Sequence, residues 1–125
     1  LWVITNSKDE KKINALELLG VKVFKIDINK NGQISLEKLL NLLAQMNINN
    51  LMVESGRLVT SFIKEDLFDE IYWFKAPKIF GNNHIPAIGN LDIDIMDKVI
   101  RLKTKKIELI DGQDILIILD KGLNI

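Results

Sequence analysis

Three times before residue 65, a short apolar run of strand-forming residues is followed by a run with helical spacing. After residue 65 the helical spacing stops and strand-like runs follow. Alternating strands and helices favour parallel pairing with helices laid on the sheet, whereas consecutive strands favour antiparallel ladders. This order predicts an α/β fold with a mixed β-sheet flanked by helices and a C-terminal antiparallel hairpin.

The first unit is LWVIT, residues 1–5, followed by a helix over 8–19 that Asn6 or Ser7 can cap and Gly20 ends. Its apolar positions are Ile13, Leu16 and Leu19. The second is the alternating run VKVFKI, residues 21–26, followed by a helix over 35–46 with Ser35 as cap and Leu36, Leu39, Leu40 and Leu43 at helical spacing. The third is Leu51–Val53, an all-apolar run expected to be a buried strand. The helix over 56–64 follows it, with Leu58, Val59, Phe62 and Ile63 on one side. Beyond it, residues 70–76 read as a strand closed by Pro77, and 80–89 as loop. Ile107–Ile110 and Ile115–Leu119 flank Asp111-Gly112, a pair favoured in hairpin turns.

Composition narrows the function classes. The 125 residues suit one domain, and a hydrophobic share of 47% can bury a core. The formal net charge of zero gives no global attraction to nucleic acid or an anionic membrane. Without cysteine there are no disulfides, thiolate zinc sites or cysteine nucleophiles. Such a composition fits a reducing, cytoplasmic setting. No apolar run approaches the roughly 20 residues that span a bilayer. The chain opens inside a strand and without methionine, which suggests part of a longer product.

Asp27–Lys38, DINKNGQISLEK, imitates a calcium-binding EF-hand loop. Asp27, Asn29, Asn31 and Gly32 occupy the first ligand positions and the glycine position. The position that should carry a bidentate acid is Lys38, and Glu37, one residue early, points about 100° away on a helix. A calcium-binding module using Asp27–Gly32 is therefore a rival reading, weakened by this cation and by the strand-like run before Asp27.

The segment LMVESGRLVTSFI, residues 51–63, runs from apolar strand to acid to glycine to helix. Structurally, Glu54 or Ser55 can cap the helix, and Gly56 allows the turn. Functionally, ligands of open α/β sheets bind beyond the carboxyl ends of strands, where a helix N-terminus presents free N–H groups to phosphate. Geometry alone leaves both open.

Four short matches in order carry further information: Val53-Glu54-Ser55-Gly56, Ser61-Phe62-Ile63, Leu67-Phe68-Asp69-Glu70-Ile71 and Ala76-Pro77-Lys78-Ile79-Phe80-Gly81. Together with Trp2-Val3-Ile4-Thr5 they resemble the C-terminal reductase domain of bifunctional riboflavin biosynthesis proteins of the RibD type. The resemblance implies a dihydrofolate-reductase-like fold, a homodimer and NADPH as cofactor. It also implies reduction of a phosphorylated ribosylaminopyrimidine, 5-amino-6-(5-phosphoribosylamino)uracil, to its ribityl product. By the same resemblance Glu54 contacts the pyrimidine, and Gly56, Arg57, Leu58, Val59, Thr60, Ser61 and Phe62 contact NADPH. Ser55 stands where the family has glycine or alanine, Arg57 and Leu58 where small or hydroxyl residues are commoner, and Glu54 to Asp69 is one residue shorter than usual. On this reading residues 1–125 are the C-terminal part of one reductase domain, whose start lies before Leu1. The chain alone is not expected to be active. A non-catalytic relative keeping the fold is the remaining rival.

Other residues read as structure more readily than as site. Thr5, Asn6 and Ser7 suit a cofactor phosphate or a helix cap. Asp69 and Glu70 are neighbours whose side chains point to opposite faces of a strand. Lys78 suits solvent or a phosphate. His84, the one histidine, makes a zinc site improbable. Trp2, Tyr72, Trp73 and Phe74 suit a core or a subunit contact.

Overall fold

In the computed structural model, which describes all residues except Ser55, Asn82 and 123–125, the chain divides into two units, Leu1–Met52 and Val53–Ile125. The first begins with β1 (Trp2–Thr5), α1 (Glu10–Leu18), β2 (Lys22–Lys25) and α2 (Leu36–Gln45). β1 and β2 pair in parallel, from Trp2 opposite Lys22 to Thr5 opposite Lys25. The Trp2 and Phe24 rings meet edge-on at 5.5 Å, a favourable aromatic geometry. Ile13 of α1, Ile26 just past β2, and Leu36 and Leu43 of α2 are the buried apolar residues of this unit.

α1 begins two residues later than expected, because the cap is Asp9, whose carboxylate accepts from the Lys12 N–H at 3.1 Å. Thr5 and Ser7 are engaged earlier: Thr5 Oγ1 accepts from the Ser7 N–H and Ser7 Oγ from the Asp9 N–H. Asn6 donates instead to the Ile26 carbonyl at 2.9 Å, tying the ends of the two parallel strands together. Leu19, expected on the buried stripe, is 80% exposed, since it is the C-cap, where the helical phase ends. In α2, Ser35 caps as expected, accepting from the Lys38 N–H at 3.3 Å.

In the second unit α3 (Gly56–Lys64) precedes β3 (Glu70–Lys75), a 3-10 turn (Met96–Lys98), β4 (Lys103–Ile110) and β5 (Asp114–Asp120). The strands form an antiparallel sheet ordered β3-β5-β4. β4 and β5 are the expected hairpin: Asp111 and Gly112 take φ of 48° and 72°, and the Gln113 N–H donates to the Ile110 carbonyl at 3.0 Å. Alternation along the register puts Ile71 and Trp73 on the face of Ile117 and Leu119, and Tyr72 and Phe74 on the face of Leu116 and Ile118.

The three α-helices among the described residues stop in the same way. Gly20, Asn47 and Asp66 adopt left-handed φ values of 79°, 60° and 57°. The next residue's N–H reaches back to the last turn in each, from Val21 to Leu16, Ile48 to Leu43 and Leu67 to Phe62. Asp66 is held by Lys121, whose ammonium donates to the Asp66 carbonyl at 2.8 Å, lies 2.7 Å from its carboxylate, and sits 4.6 Å from the Phe68 ring centroid.

The strand expected at Leu51–Val53 does not form: residues 51–54 lie outside every strand, and Met52 is 81% exposed. Apolar composition does not make a strand without a ladder partner, and this segment carries the boundary between the two units. No helix among the described residues is long and apolar enough to cross a membrane.

Candidate functional site

The site suggested by the sequence centres on Glu54 and α3. Glu54 is exposed and lies two residues before the helix. The first N–H groups of a helix have no acceptor within it, and its dipole makes that end positive.

At about 100° per residue α3 shows three sides. Phe62 and Ile63 are buried at 5% and 4% exposure, and Val59 beside them is half-buried. Gly56, Thr60 and Lys64, spaced by four, form a second side. Arg57, Leu58 and Ser61 form the third; Arg57 and Leu58 are exposed and Ser61 half-buried, with its Oγ donating to the Arg57 carbonyl at 3.2 Å. The residues expected to meet a cofactor are thus distributed around the helix. Of their side chains, Arg57, Leu58 and Ser61 look outward, while the Phe62 ring belongs to the core.

The second side is occupied by a loop the sequence did not single out. Built onto Gly56, a Cβ would lie 3.1 Å from the Pro86 carbonyl oxygen and 3.5 Å from that of Ala87. One turn further, Thr60 Oγ1 accepts from the Gly89 N–H at 2.7 Å and donates to the Gly56 carbonyl at 2.5 Å. A turn beyond, the Lys64 ammonium pairs with Asp92. The loop therefore runs beside α3 in its own direction, one contact per turn. The available signal was the non-apolar stripe Gly56, Thr60, Lys64, together with Gly89. A stripe names a contact face but not its partner.

Three exposed carboxylates are held below the ordinary carboxylate range, each chiefly by a lysine hydrogen bond: Asp27 by Lys38, Glu70 by Lys105 with help from the Tyr72 hydroxyl, and Asp92 by Lys64. Lys105 is raised in turn by Glu70. A lowered acid stabilises the fold above its unfolded pKa, near 4, and loses that contribution as pH falls through the lower folded value. The raised lysine contributes below about pH 10.4 and loses its share as pH rises past its folded value. Melting temperature should therefore hold between pH 6 and 9 and fall below about pH 4. Lys64→Met combined with Lys105→Met should flatten that acid limb, and salt should weaken it, since exposed pairs are screened. Thermal melts from pH 7 to pH 3 at two salt concentrations check this; an unchanged acid limb in the double variant would refute it.

The calcium-like loop is closed by its own cation. The Lys38 ammonium lies 2.5 Å from the Asp27 carboxylate, and Asn29 Oδ1 accepts from the N–H groups of Asn31 and Gln33 at 2.9 and 3.1 Å. The preceding element is the strand β2, not the helix an EF-hand requires. Among the remaining candidates, Glu70 is bound to Lys105 and Tyr72, and Lys78 is exposed. The His84 ring stands edge-on to Phe80 at 5.1 Å.

The fold is that of known pyrimidine reductase-like proteins. One from Corynebacterium diphtheriae superposes with a TM-score of 0.76 over 95% of this chain and 49% of its own, at 18% identity. RibD from Acinetobacter baumannii superposes with a TM-score of 0.77 at 26% identity, over 95% of this chain and 30% of its own. The dihydrofolate-reductase-like architecture expected from the sequence is thus present. Residues 1–117 match the RibD C-terminal domain family, and the chain belongs to that family. The riboflavin biosynthesis protein RibD of Aquifex aeolicus is 36% identical over 116 residues, 92% of this chain and 30% of that protein. The 5-amino-6-(5-phosphoribosylamino)uracil reductase of Buchnera aphidicola subsp. Acyrthosiphon pisum is 33% identical over 120 residues, 95% of this chain and 55% of that protein. The chain therefore spans about a third to just over half the length of these relatives.

Proposed function

We propose that the protein carrying this chain is an NADPH-dependent reductase of riboflavin biosynthesis, acting on 5-amino-6-(5-phosphoribosylamino)uracil. Family membership over residues 1–117 is the observation that carries the reading. NADPH supplies a hydride, so the chain's own work is binding and orientation. The start of α3 suits an anionic dinucleotide: the opening N–H groups of a helix have no acceptor within it and its dipole makes that end positive, and the exposed Arg57 adds a guanidinium able to pair with a phosphate. Glu54, exposed just before that turn, can accept hydrogen bonds from the amino and ring N–H groups of a pyrimidine. The proposal includes a cytoplasmic homodimer with no nucleic-acid partner. Apolar residues on both sheet faces support the dimer: Tyr72 and Phe74 are 56% and 64% exposed, and Ile107 and Leu109 are 67% and 62% exposed.

The test is NADPH oxidation by the full-length protein with the ribosylaminopyrimidine phosphate, followed at 340 nm with the ribityl product identified by mass. Turnover dependent on that substrate supports the reading. A folded, full-length protein that binds NADPH without turnover would favour the non-catalytic relative.

A further inference from the structure

Thr60 stands midway along the side of α3 that meets the loop Pro86–Asp92. Its hydroxyl carries one hydrogen, given to the Gly56 carbonyl at 2.5 Å. Its oxygen accepts the Gly89 N–H at 2.7 Å. The first bond is the local back-bond available to threonine in a helix. The second spans 29 residues of sequence, and through the two together one hydroxyl joins the loop to the first residue of the helix.

The neighbouring contacts make this junction tight. A Cβ on Gly89 would come within 3.2 Å of Thr60 Oγ1, and one on Gly56 within 3.1 Å of the Pro86 oxygen. A side chain at either position would press its neighbour by a few tenths of an ångström, so glycine lets the loop lie this close. The ion pair of Lys64 with Asp92 fixes the far end. The carbonyls of Pro86 and Ala87 are thereby held against the opening turn of α3, the turn that the proposed function assigns to the dinucleotide.

Resting on that reading, we propose that Thr60 is a positioning residue for the cofactor, and that the loop it latches forms the second wall of the cofactor site. Thr60 does not touch the dinucleotide. It fixes the Gly56 backbone and the loop carbonyls beside it, so that the binding turn is preformed. Loosening the latch weakens cofactor binding while leaving the hydride-transfer step nearly intact.

Thr60→Val keeps the shape and removes both hydrogen bonds; Thr60→Ser keeps the hydroxyl. In the full-length protein, Thr60→Val should raise KM for NADPH by about five- to tenfold with kcat changed less than about threefold. Thr60→Ser should stay close to the parent. By NMR-detected hydrogen exchange, the Gly89 amide should exchange about tenfold faster in Thr60→Val alone. A folded Thr60→Val with unchanged KM and unchanged Gly89 exchange would overturn the proposal. So would Thr60→Ser as impaired as Thr60→Val, which would assign the effect to the methyl group. If Thr60→Val does not fold, Gly89→Ala strains the same latch from the loop side and should raise KM in the same way. Should the parent protein neither turn over nor quench NADPH fluorescence, the reductase reading fails and the cofactor role with it, while Gly89 exchange still decides whether the latch exists.

Discussion

Glu54→Gln should leave the fold intact and lower kcat/KM for the pyrimidine substrate by about a hundredfold. The magnitude follows from charge-assisted hydrogen bonds. Such bonds contribute about 1.5–3 kcal/mol, and about 1.4 kcal/mol is tenfold in rate. Glutamine keeps the length of the side chain but replaces one acceptor oxygen with an N–H donor, which then faces a substrate donor. Glu54 is exposed, so the unfolding midpoint should move by no more than about 0.5 kcal/mol equivalent. Steady-state kinetics beside a thermal melt check both halves. Unchanged kcat/KM would reduce Glu54 to an acid flanking a helix N-terminus.

Phe62→Ala should cost about 3–5 kcal/mol of stability, since it empties a site that is 5% exposed. For a domain of ordinary stability that is a large fraction of the total. Phe62→Leu should cost about 1.5 kcal/mol or less, because most of the volume remains. Urea titrations of the two variants check the ordering. The kinetic expectation separates core from cofactor contact: folded Phe62→Leu should keep the parent KM for NADPH. A tenfold rise in KM in a stably folded Phe62→Leu would place the ring against the cofactor instead.

What the sequence made legible was local. The caps at Ser35 and Gly20, the Asp111-Gly112 hairpin and the apolar face of α3 at Phe62 and Ile63 all follow from spacing and turn chemistry within a few residues. Glu54 and the start of α3 were singled out as a candidate site by short ordered matches, not by spacing or composition. Two features were not legible. Leu51–Val53 was read as a strand from composition, but a strand exists only through its ladder partner. Residues 80–89 were read only as loop, because the partner of the segment Pro86–Asp92, the stripe Gly56, Thr60, Lys64, lies about 30 residues earlier. Hydrogen bonds at that separation leave no periodicity in either segment.

The strand order has a consequence for how the latch comes into being. β5 is the middle strand, with β4 on one side across a tight hairpin and β3 on the other. β3 and β4 therefore run in the same direction, and the chain between Lys75 and Lys103 must return along the length of β5. Lys75 is paired beside Ile115 and Lys103 beside Asp120, so the two ends of that return are anchored at opposite ends of the middle strand. The hairpin closes a very short loop, whereas seating β3 closes a long one, and the longer closure carries the larger entropic barrier. Loop closure therefore favours an order of assembly with the hairpin first and β3 second. Seating β3 tethers the segment bearing Pro86 and Gly89 at its N-terminal end, beside Ile115. On that order the wall of the proposed cofactor site is completed late, and a change that slows β3 docking is expected to delay the appearance of cofactor binding without altering a single residue that meets the cofactor.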